Sequence, residues 1–145
     1  MIYTKKTKEA MKLMFEKHKS QLDKSGLPYV HHPLHVAEQM KDENTTIVAL
    51  LHDVIEDTDM TIEQLEPYDF PKEAIEALRL MTHEKGLDYF DYIKRLSKNP
   101  IARKVKLADL EHNMDLSRLN RITEENKKRI EKYQKSHQYL EELEK

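Results

Sequence analysis

The sequence of 145 residues contains no cysteine and no tryptophan, and it has only two glycines and five prolines. The absence of cysteine excludes a disulfide framework, thiolate metal sites and cysteine nucleophiles. So few turn-forming residues argue against a fold of many strands and favour helices. No apolar run approaches the roughly 18 residues that a membrane-spanning helix needs. The scarcities therefore favour one small helical domain.

A charge imbalance is also absent, because 27 acidic and 25 basic residues leave a net charge of −2. A pI near 6.5 provides no broad basic field of the kind that drives nucleic-acid binding. Residues 1–6 lack the apolar segment of a secretory signal. We therefore expect a cytoplasmic protein that has neither a nucleic acid nor a membrane as its partner.

Apolar residues recur at helical spacing along the chain, with short breaks at glycine and proline. The predicted helices cover residues 4–23, 33–40, 44–57 and 61–67, and four more begin at Pro71, after Gly86, at Pro100 and at Thr123. Because a residue before proline favours extended backbone, His32 is expected just ahead of the second helix. The pattern predicts a single all-α domain of about seven helices over residues 1–145.

Eight histidines are the unusual component, and one lies in a polar cluster inside the most apolar segment. His52, Asp53, Glu56 and Asp57 fall within residues 44–57, where unpaired buried charge would be costly. His52 and Glu56 share a helix face, as do Asp53 and Asp57, and His52 and Asp53 lie about 100° apart around the helix. Imidazole and carboxylate without thiolate suit Mn²⁺ or Fe²⁺ better than structural Zn²⁺. The alternative is a helix end whose last two acids are simply solvated.

Two further segments offer ligands that could complete a coordination sphere. His31 and His32 precede Pro33, and a later apolar helix carries Asp109 and Asn113 four residues apart on one face. His112, three residues after Asp109, would either orient a ligand from behind or have no such role.

Three segments in this order resemble HD-domain phosphohydrolases. They are residues 28–37 (PYVHHPLHVA), 49–58 (ALLHDVIEDT) and 106–114 (KLADLEHNM). More narrowly, they are similar to the hydrolase domain of RelA/SpoT-type alarmone enzymes and to its small stand-alone versions. The resemblance covers about residues 10–120, ahead of a final helix at about residues 123–145.

The resemblance implies a single HD-domain helical bundle that removes the 3′-pyrophosphate of (p)ppGpp without a synthetase domain. The implied ligands of one divalent ion are His32, His52, Asp53 and Asp109. That ion would be Mn²⁺, with Fe²⁺, Co²⁺ or Zn²⁺ as alternatives. Glu56 and Asp57 would activate or position the attacking water, and Lys24 and Asn113 would bind the nucleotide.

The sequence departs from the alarmone-hydrolase pattern at two places. Asp23 stands where an arginine stacks on guanine, and Asp115-Leu116 replaces Arg-Thr. Two alternatives therefore stay open: an HD-family phosphatase for another nucleotide or phosphorylated metabolite, and a non-catalytic module that binds a nucleotide or a partner. The charged final helix is expected to be a solvated face, with a homodimer contact as the alternative.

Overall fold

The computed structural model describes residues 1–145 and is entirely helical, which confirms the predicted all-α class. Seven α-helices are joined by short connections, and there is no strand, only an isolated bridge between Leu22 and Pro28. The helices are α1 (Lys5–His18), α2 (His31–Glu38), α3 (Glu43–Asp57), α4 (Lys72–Met81), α5 (Tyr89–Leu96), α6 (Pro100–Asn113) and α7 (Glu124–Leu143). Two short 3₁₀ helices, Glu63–Tyr68 and Leu116–Arg118, lie between them. None of these helices is both long and apolar enough to cross a membrane.

The α3 helix is the centre of the fold, as its apolar surface predicts. Asp42 caps its first turn by accepting a hydrogen bond from the Thr45 backbone at 2.8 Å. Every residue from Thr45 to Val54 is buried, since α1, α2, α4 and α6 all pack against this helix. A helix that is apolar all round is stable only when it is enclosed in this way. His52 and Asp53 are therefore held inside the bundle by the packing of their own helix.

The first helix is shorter than the sequence pattern predicts. It ends at His18 instead of continuing to residue 23. The chain reverses beyond it, with the Tyr29 backbone donating to the Gln21 carbonyl at 2.8 Å. Gly26 makes the turn with a φ of +84°, which an L side chain rarely adopts. The loop at residues 19–30 consequently folds back toward the start of α2.

The prediction that His32 precedes the second helix in an extended conformation is wrong. Helix α2 begins at His31, so His32 lies in its first turn, ahead of Pro33. A proline is tolerated there because the first backbone N–H groups of a helix have no acceptor within it. Pro67 likewise fails to end its helix as predicted. It lies inside the 3₁₀ segment, whose last bond runs from the Asp69 backbone to the Glu66 carbonyl and bypasses the proline.

Candidate active site

Three helices bring the four predicted ligands together in the interior of the bundle. His32 comes from α2, His52 and Asp53 from α3, and Asp109 from α6, and none is more than 9% exposed. Asp109 Oδ1 lies 2.8 Å from His32 Nε2 and 3.3 Å from His52 Nε2. Asp53 Oδ2 lies 3.6 Å and 3.3 Å from the same two nitrogens. One donor atom from each residue lies within 4.8 Å of all the others.

This donor set fits a divalent metal ion. Two imidazole nitrogens and two carboxylate oxygens converge, and such a borderline-to-hard set suits first-row divalent ions. The orientation of His52 is appropriate, because its Nδ1 donates to the Ala49 carbonyl at 2.7 Å. That bond leaves Nε2 facing the cluster, as the nitrogen that would bind an ion. The geometry identifies a place for an ion, and it does not select one element.

Both carboxylates of the cluster are ionised. Burial acts to raise their pKa values, but the opposing charges nearby are stronger. His52 contributes most to lowering the pKa of Asp53 to about 2, and Lys106 most to holding the pKa of Asp109 well below its usual range. Both carboxylates are therefore in the charged form that a metal ligand requires.

Sequence reasoning did not single out Lys106 as part of this cluster. Its ammonium group is buried, and Nζ lies 3.0 Å from Asp109 Oδ2, the carboxylate oxygen that faces away from the two histidines. The same Nζ lies 5.8 Å and 5.4 Å from the ring centroids of Tyr89 and Tyr92. Burial acts to lower the pKa of Lys106, yet Asp109 and the two phenols raise it well above its usual range. The spacing of three residues from Asp109 was the available signal.

The acidic pair lies one turn beyond the metal cluster, where α3 emerges into solvent. Partial desolvation, reinforced by the charge of Asp53, raises the pKa of both Glu56 and Asp57. Tyr29 links the two groups of acids, since its hydroxyl donates to Asp53 Oδ2 and lies 3.5 Å from Asp57 Oδ2. Burial and Asp53 together raise the pKa of Tyr29, so the phenol stays a hydrogen-bond donor.

An open cleft of about 450 Å³ leads from the surface to this cluster. His32, Tyr29 and Asp57 are among the residues that line it. The predicted nucleotide contacts Lys24 and Asn113 both line it. Its other lining residues include Arg118, Arg129 and Tyr133, and the last two were not among the site residues that the sequence indicated. The last two come from α7, where a spacing of four residues places them on the same helix face.

The two acidic departures differ in how they meet the cleft. Asp23 Oδ1 accepts from the Ser25 and Leu27 backbones at 2.8 and 2.9 Å, while Oδ2 contacts His31 Nε2 at 2.9 Å. The hydrogen bond from His31 contributes most to lowering the pKa of Asp23 against the opposing effect of burial. Oδ1 is thus hydrogen-bonded within the loop, and Oδ2 contacts the first residue of α2. Asp115 is exposed, and its Oδ1 accepts from Ser117 at 2.6 Å.

His112 lies directly behind the metal cluster. Its Nδ1 is 2.7 Å from His32 Nδ1, and burial, with Arg118 and three neighbouring imidazoles, lowers its pKa to about 3. The ring of His35 packs on its face with centroids 4.1 Å apart. The ring of His31, four residues before His35, also lies against His112, with centroids 5.7 Å apart.

Comparison with known proteins agrees with this arrangement. The HD domain family model matches residues 10–132. The chain belongs to the HD-domain family. It is 36% identical to the Homo sapiens guanosine-3′,5′-bis(diphosphate) 3′-pyrophosphohydrolase MESH1, over 86% of this chain and 76% of that protein. The Danio rerio MESH1 is 33% identical over the same shares.

Longer and structural relatives extend the comparison. A probable GTP pyrophosphokinase of Mycobacterium leprae (strain TN) is 34% identical over 72% of this chain, which spans only 15% of that protein. The solved structure of a metazoan ortholog of SpoT, described as hydrolysing ppGpp, superposes with a TM-score of 0.77 at 28% identity. That alignment covers 94% of this chain and 85% of the other. The HD fold is thus shared over nearly the whole chain.

Proposed function

We propose that this HD-domain protein is a metal-dependent phosphohydrolase that removes the 3′-pyrophosphate from a (p)ppGpp-like nucleotide. The observation that carries the proposal is the convergence of His32, His52, Asp53 and Asp109 on one point beside Asp57, at the inner end of a cleft. The MESH1 relatives, named as ppGpp 3′-pyrophosphohydrolases, support the same reaction for the same fold.

The four converging residues would hold one divalent ion. When bound, such an ion polarises phosphoryl oxygens and lowers the pKa of water. We propose Mn²⁺, because the nitrogen and oxygen donors lack thiolate and because the alarmone hydrolases that the sequence resembles use it. Fe²⁺, Co²⁺ and Zn²⁺ are the alternatives to be compared in the assay.

Glu56 and Asp57 would activate or position the attacking water, and one of them would take its proton. Each has a raised pKa, which brings its basicity closer to working pH, as general base catalysis requires. Asp57 lines the cleft, whereas the Tyr29 hydroxyl lies between Asp57 and Asp53 and can hold their separation. Asp57 is therefore the proposed base, with Glu56 maintaining the local negative charge.

The cleft offers basic side chains that could contact the phosphates of a nucleotide. Lys24, Arg118 and Arg129 line it together with three carboxylates, those of Asp23, Asp57 and Asp115. Asp23 is the one whose two oxygens already accept from two backbone groups and contact His31. Asn113 donates to Asp109 Oδ1 at 3.3 Å while also facing the cleft. It would bind the sugar–phosphate side of the nucleotide, and Lys24 would contact its phosphates.

The test is an assay of the purified protein with Mn²⁺ and a panel of phosphorylated substrates. The panel holds ppGpp, nucleoside mono-, di- and triphosphates and dinucleotides, and ³¹P NMR identifies each product. Asp53→Ala is the inactive control, and Asp59→Ala, at an exposed position outside the cleft, is its matched surface variant. Pyrophosphate from ppGpp, lost only in Asp53→Ala, supports the proposal. Release from another compound alone moves the substrate, and silence in metal-loaded protein favours a binding module.

A further inference from the structure

We propose that His112 is a positioning residue for the metal site: its Nδ1 accepts a hydrogen bond from Nδ1–H of His32. This bond keeps the lone pair of His32 on Nε2, the nitrogen that faces the metal cluster. The inference rests on the proposed metal site and adds a residue that touches neither metal nor substrate.

The geometry of the two rings is that of an N–H···N hydrogen bond. The Nδ1 atoms are 2.7 Å apart, although the ring centroids are 4.9 Å apart and the ring planes differ by only 5°. If the rings were stacked face to face, the distance between the two Nδ1 atoms would not be so much shorter than the distance between the ring centroids. The two imidazoles therefore lie nearly edge to edge in a common plane.

The direction of the bond follows from what His32 must do. A neutral imidazole carries one proton, so binding an ion through Nε2 requires the proton on Nδ1. His112 Nδ1 is the only hydrogen-bond partner of that nitrogen. His112 must therefore offer a lone pair at Nδ1 and carry its own proton on Nε2. The tautomers of the two rings are therefore coupled through this one bond.

The two histidine ligands are oriented in different ways. His52 donates its Nδ1–H to the Ala49 carbonyl, an acceptor that the backbone of α3 supplies whatever the side chain. His32 depends on a side chain from another helix, 80 residues away in sequence. Outer-shell partners of ligating histidines commonly contribute 10- to 100-fold to metal affinity. A single substitution at His112 can therefore remove the group that orients His32, whereas the acceptor that orients His52 is a backbone carbonyl.

His112 is itself held in place on two sides. The face of its ring packs against His35, with centroids 4.1 Å apart and planes 21° apart. Arg118 Nη1 donates to the His112 carbonyl at 2.7 Å at the C-terminal end of α6. The ring of His35 makes no hydrogen bond to it, so contact and hydrogen bonding can be separated by substitution.

The test compares three substitutions by calorimetric titration of metal-free protein with Mn²⁺. His112→Phe keeps a ring against His35 but removes the acceptor. His112→Asn supplies Oδ1 as an acceptor at the position of Nδ1, and His35→Phe is the matched change in a neighbour whose ring makes no hydrogen bond. We expect His112→Phe to weaken Mn²⁺ binding about 10- to 100-fold, His112→Asn to restore most of it and His35→Phe to leave it unchanged.

Some results would overturn the inference alone, and one would overturn the proposed metal site as well. Wild-type affinity in His112→Phe overturns the inference, and so does His112→Asn binding as weakly as His112→Phe, because the ring rather than its acceptor would then matter. A wild-type protein that binds no Mn²⁺ overturns the proposed metal site together with the inference. A wild type that binds while His112→Phe is unaffected overturns only the inference.

A second readout reports the protonation directly. Long-range ¹H–¹⁵N spectra of the protein loaded with diamagnetic Zn²⁺ distinguish the two tautomers of each histidine. We expect the His32 proton on Nδ1 and the His112 proton on Nε2. A His112 protonated at Nδ1 in the loaded protein contradicts the inference, since two facing N–H groups cannot bond.

Discussion

Substituting Asp109→Asn is predicted to destabilise the metal-free protein as well as to remove a metal ligand. The carboxylate has two functions on its two oxygens. Oδ1 faces His32 and His52, and Oδ2 contacts the buried Lys106 ammonium at 3.0 Å. An amide of the same shape leaves that ammonium without its counter-charge inside the bundle.

The magnitude follows from the burial of the pair. Lys106 is 9% exposed and Asp109 4% exposed, so water can replace the lost partner only in part. Removing one member of a buried ion pair costs about 3–5 kcal/mol. For a domain of this size, that loss corresponds to a decrease in Tm on the order of 10 °C. Lys106→Met in the Asp109→Asn background removes the unpaired charge and should recover most of that stability.

The assay is thermal and urea unfolding in EDTA of the wild type, both single variants and the double variant. We expect a coupling free energy of at least about 2 kcal/mol between the two positions. Asp115→Asn, at an exposed carboxylate, is the control and should change Tm little. Costs of Asp109→Asn and Lys106→Met that simply add would refute the reasoning. An Asp109→Asn protein as stable as the wild type would refute it as well.

Three further predictions concern the acidic pair, Tyr29 and the ion. The folded state raises the pKa of Glu56 and Asp57. At a pH between the ordinary pKa and the raised pKa, the folded state therefore binds more protons than the unfolded chain. The free energy of unfolding consequently falls as pH rises through that window. Glu56→Gln and Asp57→Asn should therefore raise Tm in EDTA at pH 8 but not near pH 4, and an equal gain at both contradicts this. Tyr29→Phe should lower kcat about 10-fold with a small change in Tm, because the link between Asp53 and Asp57 is lost; unchanged kcat would exclude that role. EDTA should abolish hydrolysis. Mn²⁺ at about 100 times its Kd should stabilise the folded state by about 2.7 kcal/mol. A Tm that does not depend on Mn²⁺ would contradict binding to the folded state.

The central helix and its polar residues were predictable because both depend on local spacing. The apolar surface of residues 44–57 predicts burial, and the adjacency of His52 and Asp53 puts both within reach of one point. His32 and Asp109 are different, since 77 residues separate them and spacing says nothing about where two helices meet. Their inclusion depended on the resemblance to HD-domain phosphohydrolases, and the structure places all four donors together.

Other features could not be predicted because tertiary contacts decide them. A lysine in a helix normally predicts a solvated charge, yet packing against Tyr89 and Tyr92 encloses Lys106. Asp23 suggested repulsion of an anionic substrate, and only the folded loop shows that His31 and two backbone groups occupy its oxygens. The proline rule placed His32 outside α2, whereas the first turn of that helix accommodates Pro33 without losing a bond.

The most direct test of the metal site is anomalous diffraction at the manganese absorption edge from crystals of Mn²⁺-loaded protein. The geometry predicts one strong peak per chain, enclosed by His32 Nε2, His52 Nε2 and one carboxylate oxygen each from Asp53 and Asp109. Asp53→Ala crystals treated identically should lack that peak. No peak at this position in the wild type, or a peak only at another site, would contradict the account.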